Sequence, residues 1–183
     1  MIHLENNALS AGVGSLISTA EIKVLICYVI GGVKAPVPGK QLANMFNIEG
    51  IANYFEVIDA LDALTKSENL IYNESDDTYT VTKKGADAAD TLKTILPYTV
   101  KEKAFALTAK MISRLKNAKE TRIETVKENG IMYLICSAVE NGADLMSVKI
   151  MVTDETQASA IKERFLDDPS KVYTGLIDLL TGK

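Results

Sequence analysis

Residues Pro38 to Gly85 read PGKQLANMFNIEGIANYFEVIDALDALTKSENLIYNESDDTYTVTKKG, and this stretch decides the fold. Gly39-Lys40-Gln41-Leu42-Ala43-Asn44-Met45-Phe46 reads as a short helix, entered through a turn bracketed by Pro36 and Pro38. Asn47-Ile48-Glu49-Gly50 breaks it. A longer helix is expected from Ile51 to about Lys66. Two β-rich runs, Leu70-Ile71-Tyr72 and Thr78-Tyr79-Thr80-Val81, flank the polar turn Asn73-Glu74-Ser75-Asp76-Asp77. Thr82-Lys83-Lys84-Gly85 opens a further helix. Helix, turn, helix, hairpin, helix is the order of a winged helix-turn-helix, which presents one helix to a DNA major groove.

The third helix is the presumed reader. Phe55, Ile58, Leu61 and Leu64 recur at helical spacing and are expected to face the core, with Asn69 as a left-handed C-cap. Its outward stripe then carries Glu56, Asp59 and Asp62, which should repel phosphates. In typical docking only the N-terminal end of such a helix reaches bases. That end offers the neutral residues Gly50, Ala52, Asn53 and Tyr54, preceded by Gln41 in the short helix. Asn53 suits the two-bond contact to adenine and equally suits a local bond to backbone at the helix start. Lys83 and Lys84 follow the hairpin, where a phosphate could be met.

Around this core the chain divides at Pro97. Residues 1–17 are weakly patterned, with Ser10-Ala11-Gly12-Val13-Gly14-Ser15 at their centre, and read as a tail or a short docked helix. Ser18 with Glu21 makes a capping box for a first helix, apolar on most sides, that Gly31-Gly32 is expected to stop. Residues 18–97 form the winged-helix domain, whose fourth helix runs from Lys83 to Leu96. In residues 98–183 Thr99 with Glu102 suggests a second capping box, for a fifth helix to about Asn117. Three strands follow, Glu120–Glu128, Ile131–Glu140 and Ala143–Val152, joined by Asn129-Gly130 and Asn141-Gly142. Asn-Gly supplies the positive φ angles that a tight hairpin needs. The middle strand is apolar on both faces, so both faces of this antiparallel meander should be covered. Two helices, Asp154–Leu166 and Pro169–Leu180, complete the chain, with Asp168 capping the second. The fold class is α+β: a winged helix-turn-helix, then a small domain with a three-stranded meander and two helices.

Composition narrows the function. The chain has 183 residues, 47% hydrophobic and 24% charged, as in ordinary globular proteins. Its longest apolar run, Ile22 to Val33, is too short to span a bilayer. The start lacks the features of a secretory signal, which makes the cytoplasm the expected location. Cys27 and Cys136 each lie in an apolar run without metal-ligand spacing and read as reduced, buried thiols. His3 is the sole histidine, so a Ser-His-Asp or Cys-His arrangement has no base outside the tail. No phosphate-cradling glycine motif occurs, and no metal or cofactor is implied. The acidic pairs Asp76-Asp77 and Asp167-Asp168 fall at expected turns or caps, so no catalytic pair stands out and no enzymatic activity is expected.

Charge cuts against the fold signal. Residues 1–97 hold 7 Lys and Arg against 12 Asp and Glu, a balance of −5, whereas residues 98–183 stand at +1. Much of DNA affinity comes from neutralised phosphates, so the DNA-reading half is the wrong sign. The span Lys101 to Lys127 carries a local balance of +5, which reads as a solvated face or as a flank for DNA or an acidic partner.

Three segments give the chain a resemblance: Asn53-Tyr54-Phe55 with Leu61, Leu64 and Leu70-Ile71; Tyr79-Thr80-Val81-Thr82-Lys83-Lys84-Gly85; and Asp144-Leu145-Met146-Ser147-Val148-Lys149-Ile150. From Glu21 to Gly182 the chain resembles an uncharacterised bacterial family that joins a repressor-type winged helix to a small α/β half. It departs from related winged helices in having Asn69 where glycine usually precedes the Leu-Ile pair. The resemblance implies a regulator-like role through the fold alone. Two readings follow. One is a homodimeric DNA-binding regulator of transcription whose C-terminal half dimerises or senses a ligand. The other is a winged helix used for protein–protein contact without DNA, favoured by the acidic stripe.

Overall fold

A computed structural model of the chain describes residues 18–182. The N-terminal stretch read as a tail, with His3, lies outside them. The described residues form seven α-helices, one short 3₁₀ turn and two three-stranded antiparallel sheets, an α+β architecture. They divide into two compact units between Ala109 and Lys110. This division falls inside a helix, and Pro97 lies at the break before that helix.

In the N-terminal unit, α1 (Thr19–Val33) opens on the expected capping box: the Glu21 N–H donates to Ser18 Oγ, and the Ser18 N–H donates to the Glu21 carboxylate. Ile22, Leu25, Ile26, Val29 and Ile30 are buried, so this helix is the centre of the unit's core. Gly31-Gly32 does not stop it. The helix continues to Val33, and Lys34 caps it in the left-handed region. Gly32 serves packing instead, because a Cβ there would lie 2.5 Å from the Phe105 ring of α5 (Tyr98–Lys119).

Strand β1 (Val37–Pro38) leads into α2 (Gly39–Ile48), α3 (Tyr54–Lys66) and the hairpin of β2 (Leu70–Asn73) and β3 (Thr78–Val81). The sheet order is β1-β3-β2, with Val37 opposite Tyr79 and Leu70 opposite Val81. The third helix starts three residues later than expected. Gly50, with φ +66, turns the chain, and Ile51 is buried with its N–H on the Phe46 carbonyl. The core face is also rotated. Val57, Ala60, Leu61 and Leu64 are buried, whereas Phe55 is 73% exposed. A run at strict three-residue spacing drifts around a helix of 3.6 residues per turn, and the stripe at i, i+3, i+4, i+7 wins.

The left-handed residue after α3 is Glu68, not Asn69. The Glu68 N–H bonds the Thr65 carbonyl and the Asn69 N–H bonds the Leu64 carbonyl, which is a Schellman turn with glutamate where glycine is usual. Thr82 caps α4 (Lys83–Leu92), its hydroxyl taking the Gly85 N–H. The α-helix ends at Leu92 and tightens to 3₁₀ geometry over Lys93–Ile95, short of the expected Leu96. Helix α5 begins at Tyr98, directly after Pro97, so Thr99 lies inside it and does not cap it.

The C-terminal unit holds strands β4 (Thr121–Glu128), β5 (Ile131–Glu140) and β6 (Ala143–Val152) in sequential order. Both Asn-Gly turns have positive φ at both residues, as the sequence requires. Helices α6 (Glu155–Asp167) and α7 (Pro169–Thr181) are capped by Asp154 and Asp168. Leu134, Cys136, Met146, Val152, Ala158 and Phe165 form a buried cluster between one sheet face and these helices. The expected cover on both faces is not met within this unit. The opposite face is tied by polar pairs: Arg122 with Asp144, Lys149 with Glu128, and the Ser137 hydroxyl with Ser147. On the α5–α6 side, Arg114 bonds Glu163, Lys110 pairs with Asp167, and the Asn117 amide donates to the Leu166 and Asp167 carbonyls.

Cys27 and Cys136 are free and buried. Burial pushes the Cys27 thiol up to about 11 from an ordinary 9.0. Between those values the native state keeps a proton that the unfolded chain releases, so this group's contribution to stability falls as pH rises through that window. Both thiols are expected to resist a disulfide reagent at pH 8 in native protein and to react fully in denaturant; fast native labelling would contradict their burial. Gly85→Ala is expected to destabilise by about 1–3 kcal/mol in urea unfolding, because the added Cβ meets the Asn69 carbonyl oxygen. Glu68→Gly is expected to stabilise by up to about 1 kcal/mol by relieving the left-handed backbone. Stabilisation by Gly85→Ala, or destabilisation by Glu68→Gly, would contradict the C-terminal geometry of α3.

Candidate functional site

The region around the α2–α3 turn and the β2–β3 hairpin is where the sequence placed its candidate contacts. Gln41 is exposed on α2, Gly50 is exposed in the turn, and Tyr54 is half-buried at the first position of α3. Ala52 is 8% exposed and offers no surface. Asn53 is the N-cap: its side-chain oxygen accepts the Phe55 N–H at 2.9 Å, and Glu56 reaches back to the Asn53 N–H at 3.3 Å. This capping box was readable as Asn-x-x-Glu and places Asn53 outside the helix it was assigned to. Capping occupies the Asn53 oxygen and leaves its amide N–H groups as donors.

The outward face of α3 carries Phe55, Glu56, Asp59 and Asp62. Glu56 serves the cap and Asp62 pairs with Lys66 at 2.6 Å, so Asp59 is the carboxylate of this stripe without a partner among the described residues. The exposed Phe55 ring meets Tyr54 edge-on at 5.4 Å, and Ile48 at the end of α2 is 81% exposed. The sequence reading missed both exposed side chains. Period alone put Phe55 in the core, and Ile48 sits in a break that carries no pattern.

The hairpin is pinned to the start of α2. Lys40 Nζ lies 3.0 Å from Asp77 Oδ2, and the Tyr72 hydroxyl donates to Asp77 Oδ1 at 3.0 Å. The Lys40 and Tyr72 hydrogen bonds hold the Asp77 carboxyl below its usual range, and the same contacts raise Lys40 and Tyr72. Lys40 is therefore already neutralised by a hairpin that also carries Glu74 and Asp76. Lys83 is exposed. Lys84 is exposed too, but its ammonium donates to the Ser67 carbonyl at 2.8 Å and closes the end of α3.

The basic span from Lys101 to Lys127 is largely paired. Lys103 meets Glu49, Lys110 meets Asp167, Arg114 meets Glu163 and Asp167, Lys116 meets Glu120, and Arg122 meets Asp144. Five of the eight basic residues thus have a carboxylate beside them. Exposed pairs of this kind contribute little stability, yet they cancel the local charge that a phosphate would feel.

Among the described residues no group of three or more His, Cys, Asp or Glu side chains is placed to hold a metal ion, and no helix is long and apolar enough to cross a membrane. No curated protein and no solved structure matches the chain. A family model does match residues 22–180, and it describes a domain of unknown function. That match takes in α2, α3, the hairpin and the whole C-terminal sheet, and by it the chain belongs to the DUF4364 family.

Proposed function

We propose that the N-terminal unit is a winged helix-turn-helix and that the protein is a homodimeric, cytoplasmic DNA-binding regulator of transcription without catalytic activity. The observation that carries this reading is the arrangement of α2, turn and α3 beside a three-stranded sheet ordered β1-β3-β2, whose hairpin forms the wing. In this reading the start of α3 approaches the bases through Tyr54 and the Asn53 amide, with Gly50 of the turn and Gln41 of α2 beside them. Lys83 meets a phosphate beside the wing. Lys84 holds α3 in place more than it holds DNA, because its ammonium is already bonded to Ser67.

A specific observation favours a second reading. The exposed face of α3 joins an aromatic ring to three carboxylates, and the hairpin tip adds Glu74 and Asp76. An apolar anchor in an acidic surround suits a basic protein partner better than it suits a phosphate backbone.

Selection of genome fragments by the purified protein at physiological salt, read by sequencing, separates the two. An enriched inverted repeat is the expected result; binding without enrichment that vanishes at modest salt would support the protein-contact reading. On an enriched site, Lys83→Ala should reduce the slope of log affinity against log salt by about 1, with an unchanged slope removing Lys83 from the contacts. Asn53→Ala removes both cap and amide, at a stability cost of about 1 kcal/mol, whereas Asn53→Ser keeps a cap. Base readout by Asn53 requires that Asn53→Ser retain stability yet lose site preference; full binding by Asn53→Ser would reduce Asn53 to its cap.

A further inference from the structure

We propose that the C-terminal unit binds a small amphipathic anion, an acyl or aryl chain ending in a carboxylate, in the groove between α6 and the β6 edge of the sheet. The groove has a volume of about 390 Å³, within the range of small-molecule sites. One wall is a single stripe of α6, Gln157, Ala160, Ile161 and Arg164, at i, i+3, i+4 and i+7. That stripe is two helical turns long, roughly 10 Å, which is the length of a medium-chain acyl group. The facing wall is Val148 and Ile150 of β6, with Cys136 and Phe165 beneath. Apart from Gln157 and Arg164 the lining is apolar.

Charge decides what occupies it. Arg164 is exposed at one end of the stripe and has no hydrogen bond or ion pair among the described residues. Its acidic neighbours are engaged elsewhere: Glu163 bonds Arg114, Asp167 pairs with Lys110 and Arg114, and Asp168 caps α7 by accepting the Lys171 N–H. A guanidinium with five donors beside an apolar slot matches a carboxylate whose chain lies in that slot. Burial of the chain supplies affinity and the bidentate pair supplies selectivity for anions. At the other end, Gln157 Oε1 is held by the Thr153 N–H at 2.9 Å, so its amide N–H groups remain as donors. The Gln157 oxygen is therefore already occupied and is not a free acceptor in the groove. This inference rests on the C-terminal unit alone and holds whether or not the protein binds DNA.

Isothermal titration calorimetry of the full chain with sodium decanoate, 1-decanol and decyltrimethylammonium tests it. Saturable decanoate binding is expected, about tenfold tighter than decanol, with the cationic amphiphile weakest. Arg164→Gln should bring decanoate down to the affinity of decanol and leave decanol unchanged. Ala160→Trp, at an exposed helix position, should fill the groove and abolish both. No saturable decanoate binding, or an Arg164→Gln variant that binds decanoate as before, would overturn the proposal. So would retention of binding by Ala160→Trp. If Ala160→Trp instead dissociates a dimer in sedimentation while decanoate fails to bind, the groove is an interface between copies and the anion site is rejected.

Discussion

The backbone around Asn69 fixes how α3, the hairpin and α4 meet in the N-terminal unit. Its carbonyl accepts the Thr82 N–H at 3.0 Å, and the Thr82 hydroxyl lies within reach of it and of the Glu68 carbonyl. Lys84 closes the neighbouring Ser67 carbonyl, and Gly85 can pass only because it lacks a Cβ. The end of α3, the return of the hairpin and the start of α4 are thus joined through one short segment. With its N-terminus held by the Asn53–Glu56 box, α3 is fixed at both ends. Which side chains it exposes follows from that, since four buried positions set the rotation between the two caps.

What α3 exposes is an unusual mixture for a DNA reader. The carboxylates on its face and on the hairpin tip repel phosphates over the distances that matter at physiological ionic strength. In the DNA reading this acidity suppresses non-specific binding and makes recognition depend on a few neutral contacts at the start of the helix. In the protein-contact reading the same charges steer a basic partner toward Phe55. The paired state of Lys40 and of the Lys101–Lys127 span matters for both, because the basic residues in the sequence do not add up to a basic surface.

The features legible in the sequence were those whose partners lie a few residues apart. Ser18 and Glu21, the two Asn-Gly hairpins, and Asp168 before Pro169 are local devices, and each stands where the pattern put it. The strands of the C-terminal meander followed from alternation in Met146, Val148 and Val152. What the sequence hid were long-range pairings. Glu49 lies 54 residues from Lys103, and Asn117 lies 49 residues from Leu166. Gly32 read as a stop because its reason, the Phe105 ring, is far along the chain. Phe55 read as core because an apolar residue at helical spacing is ordinarily buried, and only the competing stripe from Val57 to Leu64 shows otherwise. The candidate site was half legible: Gln41, Gly50, Tyr54 and Lys83 keep accessible surface, Ala52 does not, and Asn53 and Lys84 carry structural bonds.

The measurement that bears most directly on the central claim is amide hydrogen exchange of the full chain, with and without a duplex taken from the enriched fragments. The winged-helix account predicts new protection confined to residues 50–59 and to residues 70–84, the hairpin and the start of α4. The C-terminal sheet should be unchanged except where dimer contacts tighten. Protection on other surfaces, with the start of α3 exchanging as in the free protein, would contradict it.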